Sequence, residues 1–236
     1  GGQVPTADIA SPALGVPALI ARFKQEAGGR GGVSFCSVVP DATERLRPVL
    51  AAAACPVWHL RHDACPGLGI HYPRPEEIGQ DRLANCIGAQ VLHGAPAIVI
   101  DMGTAVTFDI LTENGYEGGI IAPGLGIMTR YLHEQTALLP ALDPADLLVS
   151  TSIGKSTLDA MRLGCAVGFS GMIAALLNTV LGELDAWGVP DPAIFATGGP
   201  AGALPRVWRH RIRWEPDITL RGLEAAFLRG TIGAVA

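Results

Sequence analysis

Two rhythms of apolar and polar positions run along the 236-residue chain. Short apolar runs predict strands at 33–39, 57–60, 97–101, 106–111, 116–121 and 193–196. Helical periodicity predicts helices at 13–27, 42–54, 83–93, 127–135, 156–185, 202–209 and 220–235. Asp41 is a candidate cap for the second of these helices, and Glu113-Asn114-Gly115 is a turn signal, so 97–121 reads as an antiparallel meander. Pro73 and Pro75 forbid regular helix before Gly79, which puts Asp81 and Arg82 at or beside the next helix start. Gly28-Gly29-Arg30-Gly31-Gly32 reads as a connector, because it leads out of a helix into a strand, the reverse of a phosphate-binding glycine loop.

A meander followed by helix and strand in alternation differs from the uninterrupted alternation of a Rossmann sheet, and suits an α/β fold of two ribonuclease-H-like halves. Residues 1–94 and 95–218 are the expected subdomains, with the terminal helix, 219–236, packed on the first. A content of 49% hydrophobic residues allows a substantial core. The net charge of -5 with 17% charged residues argues against nucleic acid or an anionic membrane as the main partner. Five widely spaced cysteines without a Cys-x-x-Cys pair indicate neither zinc nor a disulfide framework, and a cytoplasmic protein is expected. The sequence contains no uninterrupted apolar run of about eighteen residues and no signal-peptide pattern.

Chemistry concentrates in a few places. Asp101-Met102-Gly103-Thr104 joins two predicted strands: Gly103 lets a ligand approach the backbone, Thr104 offers a hydroxyl and Asp101 can order a cation. The same residues also suit a plain hairpin turn. Asp81 beside Arg82 can accept the proton of a hydroxyl nucleophile while the guanidinium grips a carboxylate, or can be a capping aspartate with a surface arginine. Gly118-Gly119 within a strand implies close approach of either a ligand or a neighbouring helix. Gly154-Lys155-Ser156-Thr157 lacks the earlier glycine of a Walker A loop, since that position is Val149. It leaves Ser156 or Thr157 to bond a helix backbone or a ligand, while Thr197-Gly198-Gly199 suits a loop touching a nucleotide. The histidines, His59 and His62 among them, form no metal set.

Taken together, the motifs resemble the type III pantothenate kinases. The resemblance is carried by Tyr72 with Pro75-Glu76-Glu77-Ile78-Gly79-Gln80-Asp81-Arg82, by 101–109, by 118–124, by Thr136-Ala137-Leu138-Leu139-Pro140 and by 153–157. It continues through 160–164, 197–199 and 216–223. It implies an acetate and sugar kinase/Hsp70/actin fold, with two actin-like ATPase subdomains of mixed sheets flanked by helices. It also implies a homodimer that phosphorylates pantothenate with ATP, a divalent metal such as Mg2+ and a monovalent cation, K+ or NH4+. By position, Asp81 would be the proton acceptor, and Tyr72, Gly79, Gln80, Asp81 and Arg82 would line the pantothenate site. Thr157 would reach that substrate from the partner subunit. Asp101 would hold the monovalent cation, and Gly103, Thr104, Thr197, Gly198 and Gly199 would meet ATP.

One departure stands out. The family opens with a strand ending in Asp-x-Gly-Asn-(Ser/Thr), whereas here Asp8-Ile9-Ala10-Ser11 is followed by Pro12 and a helical pattern. The first hairpin is therefore expected to be missing, and poor phosphate transfer is expected with it. Two alternatives follow: a non-catalytic homologue with a binding or regulatory role, like the Bvg accessory factors, and a kinase acting on another hydroxylated acid.

Overall fold

The computed structural model describes residues 31–147, 152–199 and 204–232, together with Ile20. Apart from Ile20, the helix expected at 13–27 lies outside the described residues, as does most of the 28–32 connector. The chain forms two compact units. The first takes the described residues up to Leu92, then Asn114–Tyr116, and the chain from Asp217 onward; the second takes His93–Glu113 and Glu117–Pro216.

The first unit begins with β1 (Val33–Phe35), α1 (Pro40–Ala51) and β2 (Val57–His59). Strands β1 and β2 pair in parallel, with Phe35 opposite His59. The apolar run read as a strand to residue 39 stops at Phe35, because the Ser37 amide turns away to donate to Gln80 Oε1 at 2.8 Å. Asp41 does not cap α1: Val39 is the N-cap, and Pro40, already fixed at a helical φ, stands at the start of the helix. Leu46, Leu50 and Ala53 pack with Ile20, against Val33 and Phe35.

Helix α2 (Gln80–His93) is enclosed through its middle, with all residues from Arg82 to Ala89 buried, while Val91 and His93 near its end are exposed. That enclosure is possible because α2 is crossed at glycine by α5 (Ile218–Ile232), the last helix of the chain. A Cβ on Gly222 would lie 1.8 Å from the Ala84 carbonyl oxygen, and one on Gly88 would lie 2.1 Å from the Ile218 carbonyl oxygen. Beside the crossing, the Thr219 hydroxyl donates to the fully buried Asn85 Oδ1 at 2.6 Å.

The second unit is built on a five-stranded mixed sheet in the order β5-β4-β3-β6-β7. Its strands are β3 (Ala97–Met102), β4 (Ala105–Thr112), β5 (Gly115–Pro123), β6 (Ala193–Gly198) and β7 (Ile212–Trp214). Strand β3 runs antiparallel to β4 and parallel to β6. Side chains alternate with the pleat. Ile98, Ile100, Val106, Phe108, Ile194 and Ala196 face a core closed by α4 (Thr157–Ala186), through Met161, Cys165, Phe169, Ile173 and Leu177. Helix α3 (Leu125–Glu134) precedes α4 and packs against it.

Two sequence expectations fail in this unit. Residues 204–211 form hydrogen-bonded turns where a helix was expected, with the Trp208 amide donating to the Pro205 carbonyl. Thr197 and Gly198 lie inside β6, opposite Asp101 and Met102, and not in a turn after it.

Candidate active site

In the first unit, the site grows from the start of α2. The Gly79 carbonyl accepts from the Arg82 amide at 3.0 Å and the Leu83 amide at 3.4 Å, closing the first turn. Asp81 sits in that turn, where the exposed amides of a helix N-terminus favour a carboxylate. Its Oδ1 accepts from the Arg82 amide at 3.0 Å. A Cβ at position 79 would lie 2.6 Å from that oxygen, so glycine makes the space the carboxylate occupies. Cys36 feels the same group: burial first, then the Asp81 charge, push its thiol up to about 12, leaving it protonated and unreactive at neutral pH.

Arg82 is buried, with its guanidinium 5.7 Å from the centre of the Tyr116 ring. Tyr72 stands on the same ring, with centroids 6.1 Å apart and planes tilted by 57°. The Tyr116 backbone is pinned in turn, since its amide donates to Gly69 at 2.9 Å and its carbonyl accepts from His71 at 2.8 Å. Tyr116 thus joins two residues expected to meet substrate, Tyr72 and Arg82. Sequence reading took it only as part of a strand, and its single signal was the neighbouring Gly115, which has φ of 125°. Gln80 turns inward, its Oε1 lying 2.8 Å from the Ser37 amide and 2.9 Å from His59 Nε2.

In the second unit, the turn between β3 and β4 exposes Gly103 and Thr104. Register places Asp101 between Thr107 on β4 and Thr197 on β6, so a carboxylate and two hydroxyl residues form one row on a single sheet face. Thr107 donates to the buried Asp109, and Thr197 donates to the Pro216 carbonyl at 3.2 Å. Gly198, with φ of 84°, comes close to Asp101: a Cβ there would lie 2.7 Å from Asp101 Oδ1 and 2.9 Å from the Met102 carbonyl oxygen. Gly199 donates its amide to that Met102 oxygen. Gly124, at the N-terminus of α3, donates to the Thr104 carbonyl at 3.0 Å, and any side chain on it would strike the carbonyls of Gly103 and Thr104. The Asp101 turn, the end of β6 and the start of α3 therefore meet through glycines. Thr107 and Gly124 lie in stretches that carry the resemblance but were given no role of their own, because their nearness to the Asp101 turn depends on pairing and packing that no local pattern shows.

Thr157 is the exposed first residue of α4. Ser156 is committed to capping that helix, its Oγ accepting from the Asp159 amide at 3.1 Å. That leaves Thr157 as the hydroxyl turned to solvent. Among the described residues, no group of three or more His, Cys, Asp and Glu side chains gathers to hold a metal ion.

The family model described as type III pantothenate kinase matches residues 10–179. The type III pantothenate kinase of Akkermansia muciniphila is 45% identical over 192 residues, covering 81% of this chain and 76% of that one. Its counterpart in Methylacidiphilum infernorum is 48% identical over 167 residues, covering 70% of this chain and 59% of that one. The one in Acidiphilium cryptum is 38% identical over 218 residues, covering 89% and 78%. A solved structure from Campylobacter jejuni, described as a conserved Baf family transcriptional activator, aligns with a TM-score of 0.59 over 89% of both chains. At 19% identity that likeness speaks for the α/β fold alone.

Proposed function

Because the chain belongs to the type III pantothenate kinase family, we propose how its own residues divide the work of that family's reaction. The chain is a phosphotransferase, and the reaction is ATP-dependent phosphorylation of pantothenate to 4'-phosphopantothenate, the first step of coenzyme A synthesis. The observation that carries the residue assignment is Asp81 at the start of α2, in space left by Gly79.

In this reading Asp81 takes the proton of the pantothenate hydroxyl as that oxygen attacks the γ-phosphorus of ATP; the bond to the bridging oxygen breaks and ADP leaves. Arg82, held against Tyr116, grips the pantothenate carboxylate, with Tyr72 and the Gly79 backbone beside it. Gly103, Thr104, Thr197, Gly198 and Gly199 meet ATP. Asp101 would hold the monovalent cation: register sets its carboxylate in one row with the hydroxyl residues Thr107 and Thr197, and oxygen donors of this kind suit K+ or NH4+. The cation supplies fixed positive charge, and Mg2+ travels with the ATP phosphates. Five free cysteines accord with a cytoplasmic enzyme.

The same reading makes the enzyme a homodimer with Thr157 reaching the partner's pantothenate. Support comes from α4, which buries one stripe from Met161 to Leu184 in its own core. On its exposed side stand Ala160, Gly164, Val167, Gly168, Gly171 and Ala175. A Cβ on Gly164, Gly168 or Gly171 would meet nothing within 4 Å. This is also the one described helix long and apolar enough to cross a membrane, but its buried stripe makes it a core helix with an open apolar side. A second copy of the chain covers that side in our reading.

Two measurements test these assignments. With isotope-labelled ATP, Mg2+ and K+, the label that the chain transfers, however slowly, is expected on pantothenate; label on another hydroxy acid with none on pantothenate would overturn the substrate. Gly168→Glu adds a charge where the chain itself has no contact, so sedimentation should show a folded monomer that has lost most of its activity. A dimer unchanged by that substitution would remove α4 from the interface.

A further inference from the structure

We propose that Gln80 is a positioning residue: its side-chain oxygen ties the start of α2, and with it Asp81, to the ends of both strands of the first unit's sheet. The inference rests on the kinase reading above for what the positioning serves, and on the local geometry for its existence.

Gln80 Oε1 lies 2.8 Å from the Ser37 amide nitrogen and 2.9 Å from His59 Nε2. A backbone N–H can only donate, so the Gln80 atom facing Ser37 is the carbonyl oxygen, which fixes the orientation of the amide. His59 Nε2 faces the same oxygen and must therefore carry its proton. The two donors come from different strands: Ser37 follows β1, and His59 ends β2. His59 is itself held, since its ring stacks on Phe35 with centroids 4.2 Å apart and planes within 15°, and the Leu60 amide donates to the Phe35 carbonyl at 3.0 Å. One oxygen thus receives donors from residues 43 and 21 positions away in sequence. Any roll of the first helical turn, which carries Asp81 next in the chain, breaks both bonds at once. With both lone-pair directions taken, this oxygen is not the group that contacts pantothenate, and the role expected for Gln80 from sequence passes to its backbone.

The test compares Gln80→Leu, which removes the acceptor at similar size, with Gln80→Glu, which keeps it, and His59→Phe, which keeps the stack but not the bond. Melting temperature is measured first to show that each variant folds. Gln80→Leu is expected to lower kcat about 10-fold or more with the pantothenate KM changed less than about 3-fold, and Gln80→Glu to retain most of kcat. His59→Phe should fall between them. If Gln80 touched substrate instead, both Gln80 variants would raise the pantothenate KM, and Glu would be the worse through repulsion of the substrate carboxylate; that pattern overturns the proposal. Should Gln80→Leu fail to fold, Gln80→Ser and His59→Phe carry the comparison. A second readout needs no turnover: nitrogen NMR of His59 in the wild-type chain should show the proton on Nε2, with the signal altered in Gln80→Leu. A proton on Nδ1 sinks the positioning role whether or not the chain phosphorylates pantothenate. Failure of the wild type to label pantothenate, with the Nε2 proton present, counts against the kinase reading alone.

Discussion

Asp81→Asn is expected to lower kcat for pantothenate phosphorylation by about 10³-fold, within the range of about 10²–10⁴ typical for loss of a positioned general base. The substitution keeps the size of the side chain, and an amide oxygen can still accept from the Arg82 amide as Oδ1 does at 3.0 Å. Gly79 would still leave the space, so the fold and the substrate contacts proposed for Arg82 should persist. Pantothenate KM should therefore move by less than about 5-fold, because what is lost acts on the proton in flight and not on the bound ground state. Steady-state kinetics with labelled ATP decide the matter. A variant within tenfold of the wild-type rate would show that another group, or water, takes the proton.

The largest expected loss of stability comes from the helix crossing. Gly222→Val places a branched side chain where even a Cβ would stand 1.8 Å from the Ala84 carbonyl oxygen and 3.0 Å from the Gly88 amide nitrogen. Neither neighbour is a flexible side-chain tip that can swing aside; both are backbone of a helix buried from Arg82 to Ala89. The helices must separate, which exposes Asn85 and breaks its 2.6 Å bond to Thr219. The cost is about 3 kcal/mol or more, at the upper end for overpacking, and at this chain length it corresponds to a drop in Tm of roughly 6–12 °C. Glu224→Ala, on the exposed side of the same helix, serves as the control and should shift Tm by little. Equal melting temperatures for Gly222→Val and wild type would mean that the helices do not cross at these glycines.

How far the sequence carries depends on how local the determinant is. The strands around Asp101 and the start of α2 were legible, because apolar runs, Gly115 and the paired prolines act within a few residues. Asp81, Gly79 and Thr104 were legible as motifs for the same reason. What escaped was set at a distance. Strand β7, with only Ile212 buried among its three residues, gives almost no hydrophobic period and exists because β6 offers it an edge. Thr197 and Gly198 read as a turn because their pairing partners, Asp101 and Met102, lie far back in the chain. The convergence of Ser37 and His59 on the Gln80 side-chain oxygen escaped because no local pattern shows it. Asp41 lost the capping role to a neighbour already in place, since Pro40 begins the helix with its φ fixed and has no amide to satisfy.

The enclosure of α2 also bears on when order is acquired. A helix with eight successive buried residues, braced by backbone-to-backbone contact at two glycines, opens to solvent only when the surrounding unit unfolds. The amides behind Asp81 thus belong to the slowest-exchanging part of the molecule, and the direction of its carboxylate is set as the chain folds. The conformational entropy of aligning Asp81 is spent at that stage, so in the proposed reaction the arrival of substrate need not freeze α2 a second time. Changes near the carboxyl end of the chain, far from Asp81 in sequence, are then felt as a smaller fraction of molecules ready to react and not as weaker binding.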